Sequence, residues 1–370
     1  MTTGNGLPPT MDPAVYSKRL YDELERIYKS SVTGTQLATN QMVAKVGMTP
    51  KETVWTLNKS RLYRFYPQVP PEQRKPIPLF LVFALINRPY IFDLRPGNSF
   101  VEFMLKQGYD IFMLDWGTPG PEDASLDMSD FALDYLPRAV RKMQSITGSR
   151  EFSMLGWCIG AALAAIYSAG RPDDGLRNLM LLTAPLDFAD KRAGAFNVWL
   201  QEPFYNVDAL VKQMGNIPGE MIDYGSKMLK PVENFIGNYI RLWDNLDDPA
   251  IVESWMAMNA WVSDNVSFPG AAFRQWVVEF FRENRLMEGT LMMRGQPIKL
   301  ENIRANLLNV IADKDHIVPS CQSVTAMDKV GSPDKELLTM RGGHIGIMAG
   351  SGARKTLWPK INEWLAARSM

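Results

Sequence analysis

The chain has 370 residues, long enough for one large α/β core with an inserted cap, or for two domains. Forty acidic and forty basic residues leave no net charge, which excludes a strong electrostatic pull toward nucleic acid or an anionic membrane. Two cysteines far apart, Cys158 and Cys321, supply no disulfide framework, and no apolar stretch is long enough to cross a bilayer. The start at Met1 carries no charged-then-apolar signal pattern, so a cytoplasmic location is expected.

From Met1 to about Pro13 the chain is rich in Gly, Pro and Thr and is expected to be mobile. Tyr16, Leu20, Leu24 and Ile27 then recur at helical spacing, predicting an amphipathic helix over Ala14 to Ser30. Short alternating runs from Val54 to Tyr66 predict strands, and five prolines between Pro67 and Pro78 mark a linker or exposed turn. A strand at Leu79 to Leu85, a helix around Ser99 to Gln107 and a strand at Tyr109 to Leu114 follow. Next come a long helix from about Asp130 to Ile146 capped by Ser129, a strand at Phe152 to Leu155 and another at Leu179 to Leu182. Strands alternating with helices indicate a mainly parallel sheet. The alternation lapses from about Asp187 to Arg304, where five tryptophans fall among helical periodicities, and resumes in a strand over Asn306 to Ala312. The expected organisation is an N-terminal helical and extended segment (1–66), a core in two parts (67–186 and 305–370) and a mostly helical cap inserted at 187–304.

The chemistry is expected at Leu155-Gly156-Trp157-Cys158-Ile159-Gly160-Ala161, a G-x-C-x-G run between an apolar strand and a helix of small residues. This is the pattern of a nucleophile elbow with sulfur in place of oxygen. Its glycines let a sharp strand-to-helix turn form where side chains would collide. By itself the five-residue match is weak, because a free Cys also serves as a small buried hydrophobe. In α/β-hydrolase folds the nucleophile is followed by an acid and then a histidine, and this chain has only His316 and His344. His344, in a Gly-flanked loop before the C-terminal helix, is the expected base. Asp315, just past the strand Asn306 to Ala312, fits the acid better than Asp313. His316 is a rival base, but neighbours in an extended segment point in different directions, so it reads as auxiliary. Cys321 lies near a helix start, where a lowered thiol pKa is conceivable, but no glycine-flanked turn surrounds it.

A cysteine suits acyl exchange between thioesters, because thiolates both attack and leave readily. His344 would take the thiol proton while Asp315 holds its tautomer. Backbone N–H groups of Ile159 and, near the loop after the first core strand, Ile86 would hold the oxyanion. No metal ligand set is visible in the sequence.

Beyond the triad the chain resembles the polyhydroxyalkanoate synthases, particularly the short catalytic subunits of the two-component classes III and IV. The stretches that carry the resemblance are Thr49-Pro50-Lys51-Glu52-Thr53-Val54-Trp55, Ala84-Leu85-Ile86-Asn87-Arg88-Pro89-Tyr90-Ile91, Asp115-Trp116-Gly117 and the elbow. Met214-Gly215-Asn216-Ile217-Pro218-Gly219, Asp315-His316-Ile317-Val318-Pro319 and Gly342-Gly343-His344-Ile345-Gly346 complete the set. Together they run from about Thr49 to the C-terminus, whereas the elbow alone would also suit a dienelactone hydrolase or a thioesterase. The resemblance implies an α/β-hydrolase fold and polymerisation of (R)-3-hydroxyacyl groups from coenzyme A thioesters, with no cofactor besides that substrate. It also implies the same triad, a homodimer, association with the polyester granule and, from the short length, a small helical partner subunit; the N-terminal helix is a candidate docking surface for it, with a core or self-association role as the equal alternative. One departure is Ala161, where many members have a second glycine. An aromatic cap would keep water from the acyl-enzyme, although most of its tryptophans would serve the cap's own core.

Overall fold

In the computed structural model, the described residues are 13–191, 193–201 and 205–369. The stretch expected to be mobile, as far as Asp12, therefore lies outside them. Strands β1 (Glu52–Leu57), β2 (Ser60–Phe65), β3 (Leu79–Val82), β4 (Ile111–Asp115), β5 (Phe152–Trp157) and β6 (Leu176–Leu182) are followed by a two-residue hairpin, β7 (Met292–Met293) and β8 (Gln296–Pro297). Strands β9 (Asn306–Ala312) and β10 (Lys335–Met340) complete the set. Eight of them form one sheet in the order β1-β2-β4-β3-β5-β6-β9-β10. From β4 through β10 every pairing is parallel, while β2 runs antiparallel to both β1 and β4.

The pattern of side chains accounts for this layout. All of β3 and β5 is buried, as is required of central parallel strands covered on both faces by helices. At the two edges, β1 and β10 alternate or expose their residues. A two-residue turn at Asn58 and Lys59 joins β1 to β2, with Asn58 in the left-handed region at φ 50°, so the first two strands form a hairpin.

Two helical expectations shift in detail, and a third holds. The first helix runs from Pro13 to Ala38, beyond the expected Ser30. The helix expected around Ser99 to Gln107 forms over Phe100–Lys106, with the Ser99 hydroxyl as its cap, accepting from the Glu102 N–H at 3.0 Å. Before the long helix, however, the cap is Asp127 and not Ser129. The Asp127 carboxylate accepts from the N–H groups of Ser129 and Asp130, and a π-turn over Phe131–Tyr135 separates that start from Leu136–Thr147. Asp127 wins because its side chain reaches two otherwise unpaired donors at once.

The contacts divide the chain into two compact units, Lys45–Leu229 with Ala260–Met370, and the chain up to Ala44 with Lys230–Asn259. The first holds the sheet. In the second, Leu242, Leu246 and Val252 form a small core with Leu37, Met42, Trp255 and Met256.

Candidate functional site

Cys158 stands between β5 and the helix Ile159–Gly170, with φ 58° and ψ −129°. Residues with a β-carbon rarely adopt such a backbone, and here it is held from both sides. Its N–H donates to the Leu182 carbonyl of β6 at 3.0 Å, and its carbonyl accepts from Ala161 and Ala162. The flanking glycines are spatial necessities. A β-carbon on Gly156 would lie 2.6 Å from the Ala161 Cα, and one on Gly160 would lie 2.5 Å from the Val82 carbonyl oxygen. Ala161, where the resemblance leads one to expect glycine, fits because only its backbone faces Gly156, and its methyl is fully buried.

These contacts give a prediction in which two effects oppose. Helix propensity alone would make Gly160→Ala stabilising by about 1 kcal/mol. The new methyl would press on backbone atoms of both Val82 and Phe83, and such overpacking costs about 1–3 kcal/mol. The contact should win, lowering the urea midpoint of unfolding at constant slope. A raised midpoint would show that the elbow tolerates a side chain there.

Asp315 follows β9 and His344 follows β10, so the parallel sheet delivers both to the end where Cys158 sits. His344 Nδ1 and Asp315 Oδ2 are 2.7 Å apart, with the two side chains 3% and 0% exposed, which identifies a pair shielded from water. The other carboxylate oxygen accepts from the N–H groups of Ile317 and Val318 at 2.9 and 2.8 Å. Asp313 does a different job: its Oδ1 accepts from the Gly342 N–H at 2.8 Å and so fixes the start of the loop that carries His344. Gly342, at φ 144°, supplies a turn that other residues rarely make.

Cys158 is the other group that acts on the His344 ring. Trp157, fully buried, lies with its ring centroid 6.3 Å from that of His344 and packs against Phe83 and Phe92. Burial by itself pushes the imidazole's pKa down. Interaction with Cys158 and the hydrogen bond to Asp315 outweigh it and raise His344 from 6.5 to about 10. A raised folded-state value means that stability from this proton is complete below about pH 6.5 and is lost as pH climbs through about 10. Removing the sulfur in Cys158→Ala should lower the His344 pKa by about 1–3 units. With two histidines in the chain, a titration of imidazole resonances reads this directly. An unmoved His344 would mean that Cys158 does not act on the ring.

Of the two backbone donors expected for an oxyanion, Ile159 opens its helix, so its N–H has no acceptor within that helix. Ile86 lies in the loop after β3, and its carbonyl accepts from the Val266 N–H at 2.9 Å. His316 is half-buried beside Asp315. Cys321 is exposed at the start of Cys321–Val324, and burial first, then Asp190, push its thiol pKa up, opposite to what a nucleophile needs.

In the insertion, Trp276 packs with Phe188, Phe280 and Phe281 in a local core, and Trp261 is buried against Phe83. Trp199 and Trp243 are exposed. The hydrogen bonds that fasten residues 261–266 to the loop after β3 were not foreseen, although Asn87 and Arg88 stand in one of the stretches singled out in the sequence. Nothing in a linear pattern pairs them with residues about 175 positions away.

Residues 17–104 match the family described as Poly-beta-hydroxybutyrate polymerase (PhaC) N-terminus, and residues 95–351 match the alpha/beta hydrolase fold. The chain is 33% identical to the poly(3-hydroxyalkanoate) polymerase subunit PhaC of Allochromatium vinosum, covering 97% of each chain. It is 32% identical to the subunit of the same name from Haloferax mediterranei, covering 95% of this chain and 71% of that one. Among solved structures, the monoacylglycerol lipase of Paleococcus ferrophilus superposes with a TM-score of 0.52 at 16% identity, covering 83% of this chain and 99% of the lipase. The lipase supports the fold alone, whereas identity above 30% along nearly the whole of a relative establishes the kinship: the chain belongs to the poly(3-hydroxyalkanoate) polymerase PhaC family, built on the α/β-hydrolase fold.

Proposed function

We propose that the chain polymerises (R)-3-hydroxyacyl groups from their coenzyme A thioesters and carries the growing acyl chain on Cys158. The observation that supports this most is the buried 2.7 Å pairing of His344 with Asp315, with Cys158 on a strained elbow as a further electrostatic partner of His344, in a member of this family. The Cys158 thiolate attacks the thioester carbonyl. The tetrahedral oxyanion rests on the N–H groups of Ile159 and Ile86, and coenzyme A leaves with the proton held by His344. The hydroxyl of another hydroxyacyl unit then gives its proton to His344 and attacks the Cys158 thioester. An ester bond forms, the sulfur is released, and no water is consumed. Asp315 stabilises the imidazolium at each stage. Thiol, imidazole, carboxylate and backbone donors suffice for these steps, with coenzyme A entering only as part of the substrate.

Water competes with the hydroxyl at the second step, so the site must be dry. The buried packing of Trp157, Phe83 and Trp261 supports that requirement. A small helical partner subunit or the polyester surface would meet the apolar side chains exposed on the first helix: Leu20, Tyr21, Leu24, Ile27 and Tyr28 are each about half or more exposed. Homodimerisation and granule association belong to this same reading. No helix of the described residues is long and apolar enough to cross a membrane.

The test is to supply (R)-3-hydroxybutyryl-coenzyme A to the purified chain and to compare coenzyme A released with insoluble polyester and free hydroxy acid. Polyester matching the released coenzyme A is the expected outcome. Free acid in its place would make the protein a thioesterase on the same scaffold.

A further inference from the structure

The loop that carries Ile86 is held at its two ends by different parts of the molecule. At its start, the Phe83 carbonyl accepts from Trp116 Nε1 at 3.0 Å, and Gly160 of the elbow helix abuts Val82 and Phe83, so this end belongs to the core. At its other end the Arg88 guanidinium reaches Thr118 at 2.7 Å and Asp115 at 3.9 Å, but the carbonyls of Ile86 and Arg88 and the Asn87 side chain find their partners in residues 261–266, which lie beyond the point where the core's alternation of strand and helix lapses. Val266 N–H donates to the Ile86 carbonyl at 2.9 Å, Asn87 Nδ2 donates to Asn265 Oδ1 at 2.5 Å, and Trp261 Nε1 donates to the Arg88 carbonyl at 2.8 Å. Asn87 and Asn265 also pair as an isolated antiparallel bridge.

Asn265 is itself tied down. Its amide nitrogen donates to the Val262 carbonyl at 2.6 Å and to Asp223 at 3.4 Å. The segment continues into Phe268, which exchanges two backbone hydrogen bonds with Ile217 at 2.9 Å each. Gly219 lets its own segment approach this one closely, since a β-carbon there would lie 2.8 Å from the Asn265 carbonyl oxygen. Trp261 is 4% exposed and its ring centroid lies 6.0 Å from that of Phe83, which joins the two ends of the loop through one side chain.

We infer that Asn265 and Trp261 are positioning residues for the oxyanion loop, acting through the Asn87 side chain and the carbonyls of Ile86 and Arg88 to set where the Ile86 N–H stands relative to Cys158. The inference rests on the reading of Ile86 as a donor and extends it. An oxyanion donor is effective only when preorganised at about 2.7–3.1 Å from the developing charge, and a misplacement of about 1 Å costs up to about 100-fold in rate. Held at that end only through the long Arg88 side chain, the backbone at Ile86 would lose that precision. Residues some 175 positions along the chain from Ile86 thus help determine the rate of acyl transfer without touching the substrate.

Two reactions of Cys158 separate this role from a general structural one. Alkylation by iodoacetamide needs the thiolate and no oxyanion, whereas acylation by (R)-3-hydroxybutyryl-coenzyme A needs both. Asn265→Ala is expected to lower the acylation rate about 10- to 100-fold at near-unchanged KM and to leave alkylation within about twofold. Asn87→Ala should do the same, and the double variant should be no slower than either single one, because both remove one shared bond. Unchanged acylation in Asn265→Ala overturns the inference. So does a parallel loss of alkylation, which would mark the pair as a support of the elbow, and so do losses that multiply in the double variant. If the unsubstituted chain is alkylated at Cys158 but never acylated there, the polymerase reading itself fails, an outcome distinct from all of these.

Discussion

Cys158→Ala is expected to reduce coenzyme A release from (R)-3-hydroxybutyryl-coenzyme A by at least about 10⁴-fold and to abolish polyester formation. Cys321 cannot substitute, being exposed on another segment with its thiol pKa pushed up by burial. Loss of fold would be a poor explanation of such a result. Alanine bears the φ of 58° no worse than cysteine, since the strain arises at the β-carbon that both possess. The N–H to Leu182 and the carbonyl bonds to Ala161 and Ala162 involve backbone only and survive the change. The measurement is coenzyme A release by thiol titration beside the urea midpoint of the same sample. Residual release above about 1% of the parent rate, at an unchanged midpoint, would remove Cys158 from the covalent role.

Asp315→Asn should cost about 10³- to 10⁴-fold in acylation with the fold retained. The amide oxygen can still accept from Ile317 and Val318, so the loop after β9 keeps its two fixing bonds. What changes is the atom facing His344 Nδ1, 2.7 Å away. An amide nitrogen there donates to Nδ1, which drives the ring proton to the nitrogen that should receive the thiol proton, and the charge that stabilises the imidazolium is gone. Alkylation of Cys158 by iodoacetamide should slow as well at neutral pH and recover in alkali, where the thiol ionises without help. A loss smaller than about tenfold would assign the acid's role elsewhere.

The line between what was legible and what was not runs through particular residues. Gly156 and Gly160 announced the elbow because each serves a contact set by a local turn, and local turns leave a local signature. Asp315 and His344 could be chosen from two aspartates and two histidines because chain order on this sheet and position after a strand are themselves sequence properties. Asp313 was set aside as the acid, but its bond to the Gly342 N–H depends on how two loops meet and leaves no pattern. The cap of the long helix shifted from Ser129 to Asp127 because one carboxylate satisfies two donors, a choice that propensity alone does not resolve. The π-turn at Phe131–Tyr135 likewise has no periodicity of its own.

By itself the sequence determined the fold class and the family and singled out three candidates for groups that act together, since apolar periodicity, glycine placement and motif order are written along the chain. Only the tertiary structure decided the 2.7 Å pairing of Asp315 with His344, the elevation of that imidazole's pKa and the fastening of the Ile86 loop by Trp261 and Asn265. The physical reason is one of range. Turns and helices are governed by neighbours a few residues apart, whereas burial, electrostatic shifts and long-range hydrogen bonds arise when the sheet brings together segments far apart in the chain.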